Sequence, residues 1–228
     1  MTSQAKIWDY YQTRDRAKFD GSTPRLSYLA ALTPKNGPLL DVGVGAGQFE
    51  RAALAYGRDV HSLDSSEGAI QRIASELGLG DKARVGSVEQ IPFPDAYFAC
   101  VVMSEVLEHL DDDVLERGLA EVHRVLEPGG VFIGTVPARE RLEESVVYCP
   151  TCNANFHRWG HVRSYSVESM RESLASQFRV EAVYEHVFVG WRTLNWKGRV
   201  VAALQSTSNK LGVRTKNASI VFRAARPW

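Results

Sequence analysis

From Pro38 onward, short apolar runs alternate with stretches whose apolar residues recur at helical spacing, the pattern of strands separated by covering helices. The runs predict strands at Pro38–Val42, Asp59–Leu63, Ala83–Val88, Phe98–Met103 and Val131–Val136. Between the last two, Leu115, Leu119, Val122 and Leu126 predict a helix that the acidic turn Asp111–Asp113 begins and Glu127-Pro128-Gly129-Gly130 ends. Residues 138–164 break the alternation with a cysteine- and histidine-rich insertion. Ser166 then caps a helix reaching about Phe178, and Arg179–Val189 and Ala218–Ala224 read as the last two strands. Parallel strands need crossover connections, and these are right-handed. The order of elements therefore predicts an α/β fold, a Rossmann-like, doubly wound and mostly parallel seven-stranded sheet with helices on both faces. The whole chain, 1–228, reads as one domain with three appendages: N-terminal helices at 1–37, the insertion at 138–164, and a basic helical insertion at 190–216.

Composition agrees with one domain, since 228 residues at 44% hydrophobic suffice for a core of ordinary size. No run approaches the roughly 20 apolar residues of a membrane-spanning helix, and the N-terminus lacks the apolar stretch of a signal peptide. A cytoplasmic location is expected. Three cysteines, Cys100, Cys149 and Cys152, make no disulfide framework and fit a reducing compartment. Net charge is zero, but after Glu185 there are eight positive residues and no acid, so the C-terminal segment is strongly basic. There Thr193–Leu211 has a helical pattern, and Trp191, Leu194 and Trp196 lie among the basic residues. This surface suits an anionic membrane, a lipid-linked phosphate or an acidic sugar nucleotide. The plain alternative is a helix packed on the sheet with a solvated basic face. No nucleic-acid-binding module is recognisable.

Chemistry concentrates at the strand ends. Leu39-Leu40-Asp41-Val42-Gly43-Val44-Gly45-Ala46-Gly47 joins a buried strand to a helix, and its glycines let the backbone turn sharply beside a ligand. A dinucleotide loop would face a pyrophosphate, which the carboxylate of Asp41 would repel. A ligand carrying an ammonium and no phosphate would be attracted. The second strand ends in Ser62-Leu63-Asp64, where a carboxylate can accept from both hydroxyls of a ribose.

With Gly86-Ser87-Val88-Glu89-Gln90-Ile91-Pro92-Phe93, with Val101-Val102-Met103-Ser104-Glu105-Val106-Leu107-Glu108-His109-Leu110, and with Glu127-Pro128-Gly129-Gly130, these segments closely resemble class I S-adenosylmethionine-dependent methyltransferases, in particular the bacterial group similar to quinone and sugar methyltransferases. The resemblance covers roughly Trp8 to Pro137. It implies that Asp41, Gly43 and Gly45 hold the methionine end of S-adenosyl-L-methionine, Asp64 the ribose, Ser87 and Val88 the adenine, and Ser104 the methionine again. Relatives commonly have an acid where Ser87 stands, so the adenine amine must find Glu89, a backbone carbonyl or water. Tyr11 and Arg25 resemble the relatives' lid helix and carboxylate-binding region.

Methyl transfer from a sulfonium is an in-line displacement with an activated leaving group, so alignment of the reactants matters most. A hydroxyl acceptor still benefits from a base. His109, beyond the fourth strand, stands where parallel sheets open their reactive crevice and is the candidate for base or substrate-orienting residue. Cys149, Cys152, His157 and His161 follow a C-x2-C-x4-H-x3-H spacing that could close a structural zinc site. The competing reading comes from His161-Val162-Arg163-Ser164-Tyr165, which resembles a segment beside the substrate crevice of relatives and would turn His161 or His157 toward substrate. The expected function is O-methylation of a sugar, a glycan or another small-molecule intermediate. The alternatives are a quinone or secondary-metabolite methyltransferase, and a regulatory cofactor-binding protein without catalysis.

Overall fold

The computed structural model describes Trp8, residues 10–12, 14–190 and 218–228. The basic segment with Trp191, Leu194 and Trp196 lies outside the described residues. Among the described residues no helix is long and apolar enough to cross a membrane.

The elements follow in the order α1 (Thr23–Leu32), β1 (Pro38–Val42), α2 (Gln48–Ala55), β2 (Asp59–Asp64), α3 (Glu67–Leu77), β3 (Ala83–Val85), β4 (Phe98–Ser104), α4 (Asp112–Val125), β5 (Leu126–Pro137), β6 (Val146–Tyr148), β7 (Asn155–His157), α5 (Val167–Ala175), β8 (Arg179–His186) and β9 (Ser219–Ala225). Seven strands form one sheet in the order β3-β2-β1-β4-β5-β9-β8. The first five pair in parallel, and β9 runs antiparallel between β5 and β8. This is the predicted doubly wound architecture. Its strand order reverses between β1 and β4, the place where such sheets open a ligand crevice.

The core forms on both faces. Leu40, Phe98, Met103, Leu119, Phe132 and Phe222 pack on one, and Leu29, Leu39, Phe49, Val102 and Ile133 on the other. Gly134 of β5 lies between sheet and core so tightly that a Cβ there would stand 2.1 Å from the Met103 carbonyl oxygen and 2.4 Å from Phe222 Cζ.

Four boundaries differ from the sequence reading by more than one residue. Leu126 belongs to β5 and not to the helix before it: α4 stops at Val125, and the strand begins directly through Glu127-Pro128-Gly129-Gly130. There Gly129 adopts φ +77° while its N–H donates to Arg226 O and Arg226 N–H donates to Gly130 O. β3 ends at Val85, and Gly86 N–H donates to Asp64 O as the chain turns away from the sheet. β8 ends at His186. The helix after Ser166 is shorter than expected, with the predicted cap present as Ser166 Oγ accepting from Ser169 N–H.

The insertion is a hairpin, with β6 and β7 antiparallel, followed by a loop that returns to the sheet. Val162 N–H donates to Glu108 O, Arg163 Nε to Leu110 O, and Arg139 N–H to Tyr165 O. These bonds lay residues 160–163 against the turn that follows β4.

Candidate active site

A cavity of about 580 Å³ opens at the carboxyl ends of β1, β2 and β4, and Tyr11, Arg25, Asp41, Gly43, Gly45, Asp64, Ser87, Val88, Ser104, His109 and His161 all line it. The predicted cofactor residues and the predicted base therefore share one cavity, while Cys149, Cys152 and His157 are not on its wall.

At one end stands the glycine loop. Gly43 adopts φ +91°, and a Cβ there would meet Val106 Cγ2 at 2.7 Å, so only glycine lets the loop turn against the segment after β4. Its N–H donates to Leu63 O, and Val44 N–H donates to Asp64 Oδ2 at 3.0 Å, which ties the loop to the end of β2. Asp64 is 7% exposed and also accepts from Ser66 N–H at 2.8 Å and from Gln12 Nε2 at 2.9 Å. Burial raises its carboxyl above the ordinary range, opposed by these three hydrogen bonds. Gln12 has no signature in the sequence pattern; it is brought there by the N-terminal segment lying over the cavity.

Asp41 is 2% exposed and shares its burial with Glu50 of α2. Burial raises both carboxyls, Asp41 well above the usual carboxylate value and Glu50 to about 7. The pair therefore holds less than its full negative charge near neutrality, and a cation entering the loop would draw that charge out. Ser62 Oγ donates to Glu50 Oε1 at 3.0 Å. Arg25 and Ser104, far apart in the chain, meet directly: Arg25 Nε donates to Ser104 Oγ at 3.0 Å, and Ser104 Oγ contacts Thr135 Oγ1 at 2.9 Å. A guanidinium and a hydroxyl side by side suit a carboxylate.

Ser87 and Val88 lie on the wall; Glu89 is not on it, its Oε1 accepting from Arg117 Nε at 2.9 Å and its Oε2 from Ser87 Oγ at 3.4 Å.

The other end is aromatic. Trp8, Tyr11 and Trp159 line it, with Tyr11 and Trp159 ring centroids 5.3 Å apart and Trp8 edge-on to His109 at 4.8 Å. His109 Nδ1 donates to Gly160 O at 3.3 Å, and the His161 ring stands 4.7 Å from it. Burial and the neighbouring His161 lower the His109 pKa to about 3. Burial thus favours the neutral ring, whose Nδ1–H is fixed on Gly160 O, an arrangement compatible with either role expected of His109, base or orienting residue.

The four zinc candidates do not converge. The hairpin register puts His157 opposite Val146, with Cys149 three residues further along the strand, roughly 10 Å away at about 3.3 Å per residue. Cys149 N–H donates to Ala154 O, and Cys152 is exposed at the turn. His157 and His161 instead meet Glu140, a residue that no sequence spacing connects to them. Glu140 accepts from His161 Nδ1 and faces His157 Nε2 at 3.4 Å.

Residues 40–134 match the methyltransferase domain family. Among curated relatives, a malonyl-[acyl-carrier protein] O-methyltransferase of Serratia marcescens is 35% identical over 106 residues, 46% of this chain and 40% of that protein. A dimethylglycine N-methyltransferase of Parasynechococcus marenigrum is 32% identical over 136 residues, 56% of this chain and 48% of that protein. The chain spans about half the length, or less, of most of the curated relatives it matches. A solved complex between the Haloferax volcanii Trm112 methyltransferase activator and a methyltransferase contains a chain that superposes with a TM-score of 0.70 at 20% identity, covering 97% of this chain and 98% of that one. The Burkholderia thailandensis 1,6-didemethyltoxoflavin-N1-methyltransferase, solved with S-adenosylhomocysteine, superposes with a TM-score of 0.65 at 18% identity, covering 99% and 87%. Sheet order, glycine loop and matched residues agree: the chain carries a class I S-adenosylmethionine-dependent methyltransferase domain.

Proposed function

We propose that this chain transfers a methyl group from S-adenosylmethionine to a hydroxyl oxygen of a sugar, glycan or other small-molecule intermediate. The observation that carries the reading is the division of one cavity into two unlike ends. The carboxyls of Asp41 and Asp64, the glycine loop and the Arg25–Ser104 pair suit the ammonium, ribose and carboxylate of the cofactor. Ser87 and Val88 border the adenine. The far end offers indole, phenol and imidazole rings, which suit an acceptor whose apolar face stacks on aromatic rings. Enclosure by Trp8, Tyr11 and Trp159 keeps water from the sulfonium and holds acceptor oxygen and methyl carbon in line.

The same rings favour one second reading, a flat quinone or secondary-metabolite acceptor, which would stack between Tyr11 and Trp159. Both readings are tested by incubating the protein with methyl-labelled S-adenosylmethionine and fractionated small-molecule extracts. Label in an alkali-stable ether on a saccharide supports the first, and label on an aromatic acceptor the second. Cofactor binding without label transfer to any fraction would remove the catalytic reading.

A further inference from the structure

We propose that Glu108, His109 and His161 form a divalent-metal site at the acceptor end of the cavity. One carboxylate oxygen and one nitrogen from each ring lie within 4.8 Å of one another, and His161 Nε2 stands 4.0 Å from Glu108 Oε1. Both rings are oriented from behind. His109 Nδ1 donates to Gly160 O and His161 Nδ1 to Glu140, which leaves the lone pair of each imidazole on Nε2. A histidine whose far nitrogen donates to a carboxylate or a backbone carbonyl is the arrangement that tunes metal-binding imidazoles.

The second observation is Glu108 itself. It is 1% exposed, and among the described residues neither carboxyl oxygen has a hydrogen-bond partner. Glu105, the next acid along the turn, adds its negative charge from nearby and has a backbone φ of +57°, a conformation that costs a non-glycine residue energy. Arg25 Nε, at 3.8 Å, is the cation that faces Glu105. A divalent ion between Glu108 and the two imidazoles would supply the missing partner for Glu108 and relieve the repulsion between the two acids.

Glu140, His157 and His161 form a neighbouring cluster, but the tautomer of His157 argues against a metal there. His157 Nδ1 accepts two backbone N–H groups, from Trp159 at 3.3 Å and His161 at 3.0 Å, so in the neutral ring the proton sits on Nε2, facing Glu140. Glu140 thus collects imidazole donors and belongs to the supporting layer, not to the ligands.

Two imidazoles and a carboxylate suit manganese, iron, cobalt or zinc and leave coordination positions open on the cavity side, where His109 and His161 line the wall. An acceptor hydroxyl occupying an open position would be held and made more acidic. That use rests on the proposed transfer reaction, but the test of the site does not.

The test is to strip the full chain of metal with a chelator and titrate it with Co2+, following visible absorption and calorimetry. A single site with a nitrogen–oxygen spectrum and no thiolate charge-transfer band is expected. Glu108→Gln and His161→Asn should each weaken it by more than about 100-fold, beyond the 10–100-fold typical of an outer-layer partner that Glu140→Gln should show. Cys149→Ser with Cys152→Ser should leave it unchanged. S-adenosylhomocysteine affinity and circular dichroism report that each variant is folded. If the ligand variants fail to fold, Glu140→Gln decides alone, and unchanged Co2+ affinity there overturns the site. So does wild-type protein that binds no Co2+ at millimolar concentration, or binding that shows a thiolate band and disappears in the double cysteine variant.

Discussion

The two ends of the cavity are built by different means. The cofactor end comes from the tips of adjacent parallel strands: Asp41 on β1 and Asp64 on β2 are placed by the sheet register, and Gly43 between them is bonded to Leu63 O. The acceptor end is gathered from separate loops: His109 after β4 and Trp159 and His161 beyond the hairpin line it, and Glu108 and Glu140 stand behind them, against His161. A sheet edge positions side chains through cooperative backbone pairing that a single substitution rarely undoes. Loops are held by a few specific hydrogen bonds, and each can be removed.

The largest expected effect strikes both ends together. Gly134→Ala would drive a methyl group into the Met103 carbonyl and the Phe222 ring in the middle of the sheet. The loss should be roughly 3 kcal/mol or more, at the upper end for overpacking because backbone and ring must both move. Thermal denaturation by circular dichroism checks this; a variant as stable as the parent would mean that β5 and β9 can separate more easily than their packing indicates.

A second effect belongs to the cofactor end alone. Glu50 is raised from 4.5 to about 7 in the folded protein by burial. Between those values the folded state binds more protons than the unfolded state, so its stability falls as pH rises from about 4.5 to about 7. Glu50→Gln keeps an oxygen for Ser62 Oγ and carries no titrating proton, so the slope should become shallower, the remainder belonging to Asp41, Asp64 and Glu108, whose carboxyls burial also raises. The melting temperature measured across that window decides it, and an unaltered slope would assign the titration to another group.

The smallest effect belongs to the acceptor end. Arg163 Nε donates to Leu110 O at 2.8 Å, while its contact with Asp112 is to a nearly fully exposed carboxylate. Arg163→Ala should therefore cost about 1 kcal/mol, the worth of one partly buried hydrogen bond, with little from the ion pair. Hydrogen exchange should quicken across 138–164 while S-adenosylhomocysteine affinity holds. Exchange that spreads to β1 and β2 would show that the two ends are not independent.

The same contrast governs what the sequence could reveal. The apolar strand of β1 and the glycines after it are consecutive residues whose spacing states their geometry, so that part of the loop was legible; Arg25 and Ser104 were singled out only through the family resemblance, and their contact across 79 positions appears only in the structure. The β5 start was not, because Leu126 fits both the helical repeat and the strand that follows it without a loop. The metal spacing misled for a physical reason: a hairpin keeps Cys149 and His157 apart at a separation that counting residues does not show. Glu108 stood inside a quoted motif, yet only its burial, without a hydrogen-bond partner among the described residues, sets it apart from an acid on the surface. Glu140 had no local signal at all.

The most direct test of the two-ended site is calorimetry of S-adenosylhomocysteine binding to the parent protein and to Asp64→Ala. Asp64 is the buried carboxylate at the cofactor end, and losing a charged acceptor for the ribose hydroxyls should cost about 2–3 kcal/mol, on the order of a 100-fold weaker Kd. Asp64→Ala should at the same time leave Co2+ affinity at the far end unchanged. Equal binding of S-adenosylhomocysteine by parent and variant, or no binding by the parent, would contradict the account.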